Sequence, residues 1–306
     1  MLFEAVPNFS EGRDRRKINR ITDTVQAVPN VRVLDLHSDP DHNRSVLTFV
    51  GEEAPLVEAS TALASACAEE IDLSTQTGVH PRIGVLDVLP FIPLEGATMD
   101  DAIHLARQAG EKLGELGFPV YLYEHATTAP HRRNLADLRR SVYAGLATRI
   151  KEPAWRPDYG PAHLDPRRGA IAVGARKFLV AFNAYLDTAD LEVARAVAKR
   201  IRERDGGLPG LKALGLLVGG RAQVSMNLTD LEKTSLPVAL EAVREAASGY
   251  GSKVEWMELV GMMPLEALLQ TARHHLSLRE FGRKNVLEQG LWDESPDPGS
   301  TKGDSE

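Results

Sequence analysis

The chain has 306 residues, 43% of them hydrophobic, and a formal net charge of −7 at pH 7. This length and hydrophobic content predict a globular protein with one large or two ordinary domains. The negative charge argues against nucleic acid or an anionic membrane as the general partner. The sequence lacks both a run of about 18 apolar residues and the basic start of a signal peptide, which predicts a cytoplasmic protein.

The predicted elements of the first half follow the order β-α-β-β-α-β. LFEAV is typical of a strand, and helical spacing follows over residues 18–28. VRVLDL and SVLTFVG are typical of strands, residues 55–71 of a helix, and a further strand begins after Gly84. One more helix near Thr98 and the strand PVYLYEH are appended to this set.

The same order begins again after Gly174. The strands KFLVAFNAYL, LKALGLLV, AQVSMNL and VEWMELVG alternate with helices over residues 190–204 and 237–247, and a final helix follows from Pro264. Two successive sets predict an α/β (α+β) fold of duplicated ferredoxin-like subdomains, with helices on the outer faces of two sheets.

The domain boundaries follow from this order and from the composition of the C-terminal residues. We expect subdomains at residues 1–174 and 175–290, joined near residues 173–176. Residues 291–306 contain five acids and one base among Pro, Gly and Ser. This composition predicts a disordered acidic tail.

A polar junction precedes an apolar strand in TGVHPRIGVLDVLPFIPLEG, residues 77–96. Pro81 restricts the backbone of the residue before it, so His80 is expected to keep one orientation at the mouth of the strand. Such an imidazole is either a general base near neutral pH or a loop histidine bonded to backbone. Asp87, inside the strand, either orients His80 or pairs with Arg82, and the sequence favours neither.

Acids and histidines crowd the loop in LHSDPDHNRSVLTFVG, residues 36–51. Three interpretations remain open. A metal site is one, since imidazole and carboxylate bind divalent metals, and it uses His37, Asp39, Asp41 and His42. Turn formation by Ser, Asp, Pro and Asn is the second. An anion-binding loop led by Asn43 and Arg44 is the third.

Positive charge is concentrated over residues 131–169, where nine Arg and Lys stand against four Asp and Glu. The positive electrostatic potential of such a segment either attracts an anionic ligand or belongs to a solvated helix face. Both interpretations stay open for Arg132, Arg133, Arg139 and Arg140. The overlapping WRPDYGPAHLDPRRGAIAVGARKF, residues 155–178, fits either a pocket for a planar aromatic ligand with carboxylates or a long interdomain linker.

Seven segments, taken in order, resemble the glutamate formimidoyltransferase family, the transferase part of formimidoyltransferase-cyclodeaminase. They are VPNFSEGR, HNRSVLTFVG, GVHPRIGVLDVLPFIPL, PVYLYEH, WRPDYGP, GARKFLVAFN and AQVSMNLTDLE. The resemblance runs from Val6 to about Leu276. Its most specific part is HPR followed by G-x-L-D-V-x-P-F-I-P.

The resemblance implies roles for individual residues. It makes His80 the catalytic residue, with Asp35 or Asp39 as a candidate assisting acid. The family's folate-binding segment falls on Gly160, Pro161, Ala162, His163, Leu164, Asp165, Pro166, Arg167, Arg168 and Gly169, where the bounding glycines and first proline match and the interior diverges. Further candidates for substrate binding are Asn43, and Arg44, Arg82, Arg176 and Lys177 as counter-charges for carboxylates.

The resemblance also implies an activity. The formimino group of N-formimino-L-glutamate passes to N5 of tetrahydrofolate, the co-substrate, and L-glutamate is released, in histidine degradation and one-carbon metabolism. No metal is expected, and family members pair as homodimers. Ring closure of the product is expected to belong to another polypeptide, since few residues follow the last predicted helix.

Three alternative functions remain open. Formyl transfer between 5-formyltetrahydrofolate and glutamate is the alternative of the same class. A metal-dependent hydrolase that uses His80 with the acids and histidines of residues 37–42 belongs to a different class of enzyme. A non-catalytic folate-binding protein is the third.

Overall fold

The computed structural model describes residues 1–139 and 142–292. Arg140 and, from residue 293 onward, the predicted acidic tail lie outside the described residues. Within those two ranges, no helix is both long and apolar enough to cross a membrane.

The first half contains the predicted β-α-β-β-α-β set, with its first strand split in two. Its members are β1 (Phe3–Ala5), β2 (Asn8–Phe9), α1 (Arg15–Gln26), β3 (Val31–Asp39), β4 (Arg44–Gly51), α2 (Glu53–Glu70) and β5 (Leu86–Pro93). Both β1 and β2 pair antiparallel with β4 and β5, so together they occupy one position in the sheet.

Local signals explain where the helices of this half begin and which face they bury. The Asp14 side chain accepts hydrogen bonds from the first N–H groups of α1, and Ile18, Ile21 and Val25 recur at helical spacing and are fully buried. These side chains belong to a core between one face of the sheet and the helices α1, α2 and α3 (Met99–Glu115).

The first sheet continues beyond β5. The added elements are β6 (Val120–Glu124), α4 (Leu135–Arg139), α5 (Val142–Arg149) and β7 (Ile171–Ala175). Strand β7 lies between β5 and β6 and is parallel to both, which gives the order β3, β4, β1/β2, β5, β7, β6. Strand β7 was not predicted from the sequence. This strand ends one residue beyond the expected subdomain boundary at residue 174, and the boundary itself stays a prediction.

The second half repeats the set. It contains β8 (Val180–Leu186), α6 (Leu191–Ile201), β9 (Leu211–Val218), β10 (Arg221–Leu228), α7 (Leu236–Ser248), β11 (Val254–Val260), α8 (Leu265–Leu276) and α9 (Leu287–Trp292). Its sheet has the antiparallel order β11, β8, β10, β9, and one face packs on α6 and α7 around a second core. The predicted fold of two duplicated ferredoxin-like α+β subdomains is therefore confirmed.

The two halves touch through the polar face of the second sheet. His37 Nε2 lies 3.8 Å from Glu258 Oε1, and Lys212 Nζ donates to Glu124 Oε1 at 3.3 Å. A side chain on Gly219, at the tip of the β9–β10 hairpin, would contact Asp41 at the tip of the β3–β4 hairpin. We call these six residues the inter-half interface.

Candidate functional site

His80 is held in one tautomer by its two ring nitrogens. Nδ1 lies 2.8 Å from the carbonyl oxygen of Pro81, which can only accept a hydrogen bond, so Nδ1 carries the proton. Nε2 lies 2.5 Å from Arg44 Nη1, which can only donate, so Nε2 presents its lone pair. With the orientation expected for a residue before Pro81, His80 thus directs its basic nitrogen, Nε2, at the Arg44 guanidinium.

Burial and positive charge keep the His80 imidazole neutral. The pKa of His80 lies well below its usual value of 6.5, first because of burial and then because of the charges of Arg44 and Arg139. Its neighbour His42 also has a lowered pKa, mainly through burial. A neutral imidazole is the form that accepts a proton, so His80 is ready to act as a base.

His42 adds a second imidazole to the site. It is 8% exposed, and the centroid of its ring lies 5.7 Å from that of His80. Its Nε2 makes no hydrogen bond within the described part of the chain. Buried polar atoms are normally paired, so this nitrogen beside a neutral base has an unused hydrogen-bonding position.

Three guanidinium groups surround the imidazoles. Burial and the nearby charge of Arg139 lower the pKa of Arg44 to about 9. Arg82 donates to the carbonyl oxygen of His42 at 3.1 Å, and its pKa is lowered by burial. Such weakly solvated cations are suited to bind carboxylates.

Asp87 forms an ion pair with Arg139, so the structure selects neither alternative raised by the sequence. Arg139 Nη2 donates to Asp87 Oδ2, and the Ile83 N–H donates to Asp87 Oδ1 at 2.7 Å. The two side chains are 3% and 12% exposed. Arg139 is therefore a buried charge beside His80, and the interpretation as a solvated helix face is wrong for it.

Arg132, another cation of the basic segment, also lies in a buried pair. Its two terminal nitrogens donate to the two oxygens of Asp158, each at 3.2 Å. It also donates to the Arg156 carbonyl oxygen and lies over the Tyr121 ring. The two arginines thus hold different parts of the loops that follow β6.

Asn43 joins the β3–β4 hairpin to the segment before His80. Its backbone is left-handed, with φ 47°, and its Oδ1 accepts from the Gly12 N–H at 2.9 Å. Its amide nitrogen donates to the Thr77 carbonyl oxygen at 2.9 Å and to Gln76. The amide is fully engaged by protein groups, which positions Arg44 against His80.

One hairpin acid, Asp39, is engaged by the turn itself. Asp39 Oδ1 accepts from the N–H groups of Asp41 and His42, each at 2.8 Å, which is the turn chemistry expected from the sequence. Among the described residues there is no group of three His, Cys, Asp or Glu placed to hold a metal ion. Asp35, the other candidate acid, lies on β3 near Gly261.

A cavity of about 750 Å³ opens beside His80. It is lined by Leu73, Ser74, Gln76, Thr77, Gly78, Val79, His80, Pro81, Arg82, Tyr143, Ala144 and Pro166. Ligand pockets usually enclose about 300 to 1,000 Å³. The predicted catalytic residue, one predicted counter-charge and one residue of the predicted folate segment therefore meet around a space of ligand size.

Four other residues of the 160–169 segment pack against or bond to protein groups and do not line that cavity. Gly160 and Gly169 both have positive φ, and a Cβ on either would collide with the backbone oxygen of Phe118 or Ile83 respectively. Arg167 pairs with Asp72 at 3.0 Å. Arg168 stacks on Phe118 and donates to the Leu116 carbonyl oxygen. The two arginines thus have protein partners, and Pro166 is the member that lines the cavity.

Arg176 and Lys177 lie away from His80. They follow the C-terminal end of β7, whereas His80 precedes the N-terminal end of the parallel strand β5. A five-residue strand separates the two ends by roughly 17 Å. Lys177 contacts Asp230 at 3.5 Å and Glu232 at 3.1 Å.

The second half contributes residues that the sequence analysis missed. Glu258 Oε2 accepts from Asn183 Nδ2 at 3.0 Å and from the Tyr185 hydroxyl at 3.4 Å, and Tyr185 stacks on Trp256. Glu258 is close enough to His42 for its negative charge to oppose the lowering of the His42 pKa by burial. A sequence pattern could have identified these residues. Side chains alternate between the two faces of a strand in VAFNAYL and VEWMELV, which puts Asn183 and Tyr185 on one face.

Comparison with known proteins identifies the family. The N-terminal subdomain of the formiminotransferase domain matches residues 2–176, and a second formiminotransferase domain profile matches residues 181–288. The chain is 44% identical to a glutamate formimidoyltransferase from Thermoplasma acidophilum, over 95% of this chain and 97% of that one. It is 40% identical to one from Streptococcus pyogenes serotype M1, over 95% and 98%.

A bifunctional relative matches over part of its length. The formimidoyltransferase-cyclodeaminase of Sus scrofa is 41% identical over 89% of this chain and 52% of its own length. The two domain profiles together span nearly all of the described residues, and the two glutamate formimidoyltransferases match over 97% and 98% of their own length. The chain belongs to the formiminotransferase family.

Proposed function

We propose that this protein transfers the formimino group of N-formimino-L-glutamate to N5 of tetrahydrofolate and releases L-glutamate. The observation that carries the proposal is the neutral His80, which lines a cavity in a chain of the formiminotransferase family. Tetrahydrofolate acts as co-substrate. No protein-bound metal is required, because a protonated amidine carbon is already electrophilic.

His80 moves one proton in this reaction. N5 attacks the formimino carbon, and a C–N5 bond forms to give a tetrahedral adduct in which N5 carries an extra proton. His80 Nε2 takes that proton and returns it to the glutamate nitrogen, whose bond to the formimino carbon then breaks. A positioned acid–base group of this kind typically contributes about 10²- to 10⁴-fold to the rate.

The surrounding cations bind and orient the substrates. Arg82 lines the cavity and Arg44 contacts the base, so both are placed to receive substrate carboxylates near His80. Arg44 must release His80 Nε2 before that atom can accept a proton, and an arriving carboxylate supplies the competing partner. Arg176 and Lys177 are assigned to the part of folate that extends away from the reacting atoms.

The decisive experiment incubates the purified protein with N-formimino-L-glutamate and tetrahydrofolate. We expect glutamate and 5-formiminotetrahydrofolate to appear in equal amounts, at a rate proportional to protein concentration. A protein-free reaction measures spontaneous breakdown, and His104→Ala, on the exposed face of α3, is the control for His80→Ala. Folate binding without glutamate release would contradict the proposal and favour a non-catalytic folate-binding protein.

The cytoplasmic location and the homodimer stay part of this proposal. Cell fractionation tests the first. Light scattering of the purified chain tests the second, and a mass close to 33.4 kDa would contradict it.

A further inference from the structure

One carboxylate at the inter-half interface has no cationic side chain of its own. Glu258 Oε2 is held by two neutral donors, Asn183 and Tyr185, while Oε1 faces His37 at 3.8 Å. Within the described ranges, no Arg or Lys lies within ion-pair distance of it. The side chain of Glu258 is 24% exposed, so a ligand can reach it.

Two other acids near His80 are already engaged. Asp87 is bound by Arg139 and by the Ile83 N–H, and Asp39 by two N–H groups of its own turn. Glu258 retains acceptor capacity for a cation at Oε1. Its carboxylate adds a negative charge to a region that contains three guanidinium groups.

Strand register places the residues that contact Glu258 and His80 close together on the β3–β4 ladder. Asp39 lies directly opposite Arg44 in the β3–β4 ladder, and His37 is two residues along β3 on the same face. Arg44 contacts His80, and His37 contacts Glu258. The two contacts are thus separated by about 7 Å along the strand. His42 lies beside His80, and the charge of Glu258 affects the pKa of His42.

We propose that Glu258 binds the positively charged formimino group of the donor and selects it over a neutral formyl group. The inference rests on the proposed function and deepens it. A protonated amidine presents charged N–H donors, and Glu258 Oε1 is the oxygen that remains to accept one of them. A formyl amide carries no charge and gains nothing comparable from Glu258.

The same contact explains how a cationic donor enters a site rich in arginine. Arg44, Arg82 and Arg139 repel an amidinium and would favour its neutral form. A carboxylate against the amidinium compensates that repulsion and keeps the group protonated, which is the electrophilic state. The carboxylates of the donor are left to the arginines.

The test compares Glu258→Gln with Glu255→Gln. Glutamine keeps the shape of residue 258 and removes the charge, while Glu255 lies on the same strand and pairs with Arg221 at the surface. We expect Glu258→Gln to lower kcat/KM for N-formimino-L-glutamate by about 10- to 100-fold, the range for a lost hydrogen bond to a charged group. With N-formyl-L-glutamate, kcat/KM should not fall, and Glu255→Gln should match the unmodified protein with both donors.

Calorimetric titration separates this inference from the proposed function. We expect the unmodified protein to bind N-formimino-L-glutamate at least 10-fold more tightly than N-formyl-L-glutamate, and Glu258→Gln to abolish the difference. Selective binding without turnover would refute the proposed function and leave the role of Glu258 intact. Equal losses for both donors, or an unchanged preference in a variant with a normal thermal melting curve, would overturn the inference.

Discussion

The two halves share an element order and differ in the chemistry that they bring to the site. The first half supplies His80, His42 and three buried or partly buried arginines. The facing sheet of the second half brings neutral polar groups, Lys212 and one acid, Glu258, to the inter-half interface. Duplication of the fold has therefore not duplicated the cluster of imidazoles and guanidinium groups around His80.

The additional elements of the first half account for most of the difference. Arg139 lies in α4, Tyr143 in α5, and Pro166 in the connection from α5 to β7. The second half passes directly from its β-α-β-β-α-β set into α8 and has no counterpart of these segments among the described residues. The elements added to the shared fold thus complete one side of the cavity and place a cation beside His80.

The largest expected effect tests whether the chemistry belongs to the first half. His80→Ala should lower kcat by about 10²- to 10⁴-fold, because it removes the only proton carrier that the proposed mechanism uses. The affinity for tetrahydrofolate should stay nearly unchanged, as measured by fluorescence titration, and His104→Ala should behave as the unmodified protein. Parallel losses of rate and folate affinity would instead give His80 a binding role.

Two buried ion pairs test whether Arg139 acts on His80. Arg139→Met and Arg132→Met each leave a buried carboxylate unpaired, so each should lower the free energy of unfolding by about 3–5 kcal/mol. Loss of Arg139 also removes a charge that lowers the pKa of His80. The acidic limb of the pH profile of kcat/KM should then move to higher pH in Arg139→Met and stay in place in Arg132→Met.

Chemical denaturation and pH–rate profiles provide the two measurements. A limb that stays in place in Arg139→Met, despite the expected loss of stability, would show that the Arg139–Asp87 pair is purely structural. A shift of similar size in Arg132→Met would show that the effect arises from general loosening of the loops after β6.

The sequence predicted the parts of the site that depend on neighbours along the chain. The order of elements, the position of His80 before β5 and the turn chemistry of Asp39 follow from hydrophobic period and from Pro, Asp and Asn at fixed positions. The family resemblance pointed to His80 and Pro166, which meet at the cavity. Local rules and a specific motif were sufficient for these features.

Contacts between distant segments could not be predicted in this way. Strand β7 enters between β5 and β6, and no local pattern specifies that position. Asp87 is 52 residues from Arg139, and Glu258 comes from the other half, so each pairing depends on the finished packing. Arg176 and Lys177 share a motif with the family but lie at the opposite end of a strand from His80. Composition identifies the charges and not their partners.

A smaller effect concerns acid stability. The folded-state pKa values of His80 and His42 are below 6.5, so at lower pH the unfolded chain binds more protons than the folded chain. The free energy of unfolding should therefore fall as pH decreases through about 6.5, the pKa of an unfolded histidine. His80→Asn should make this fall shallower in urea titrations between pH 5 and 8. An equally steep fall in that variant would assign the proton uptake to other groups.

For removal of metal we expect no effect on activity, which makes it the smallest of the predicted effects. Exhaustive dialysis against a chelator should leave turnover unchanged, for reasons of both chemistry and geometry. The protonated formimino carbon needs no Lewis acid to become electrophilic. The lone pair of His80 faces the Arg44 guanidinium, which repels a metal cation, and Asp39 already accepts two backbone hydrogen bonds. Metal analysis of the purified protein accompanies the assay. A stoichiometric metal whose removal stops turnover, and whose return restores it, would contradict this prediction and support the metal-dependent hydrolase.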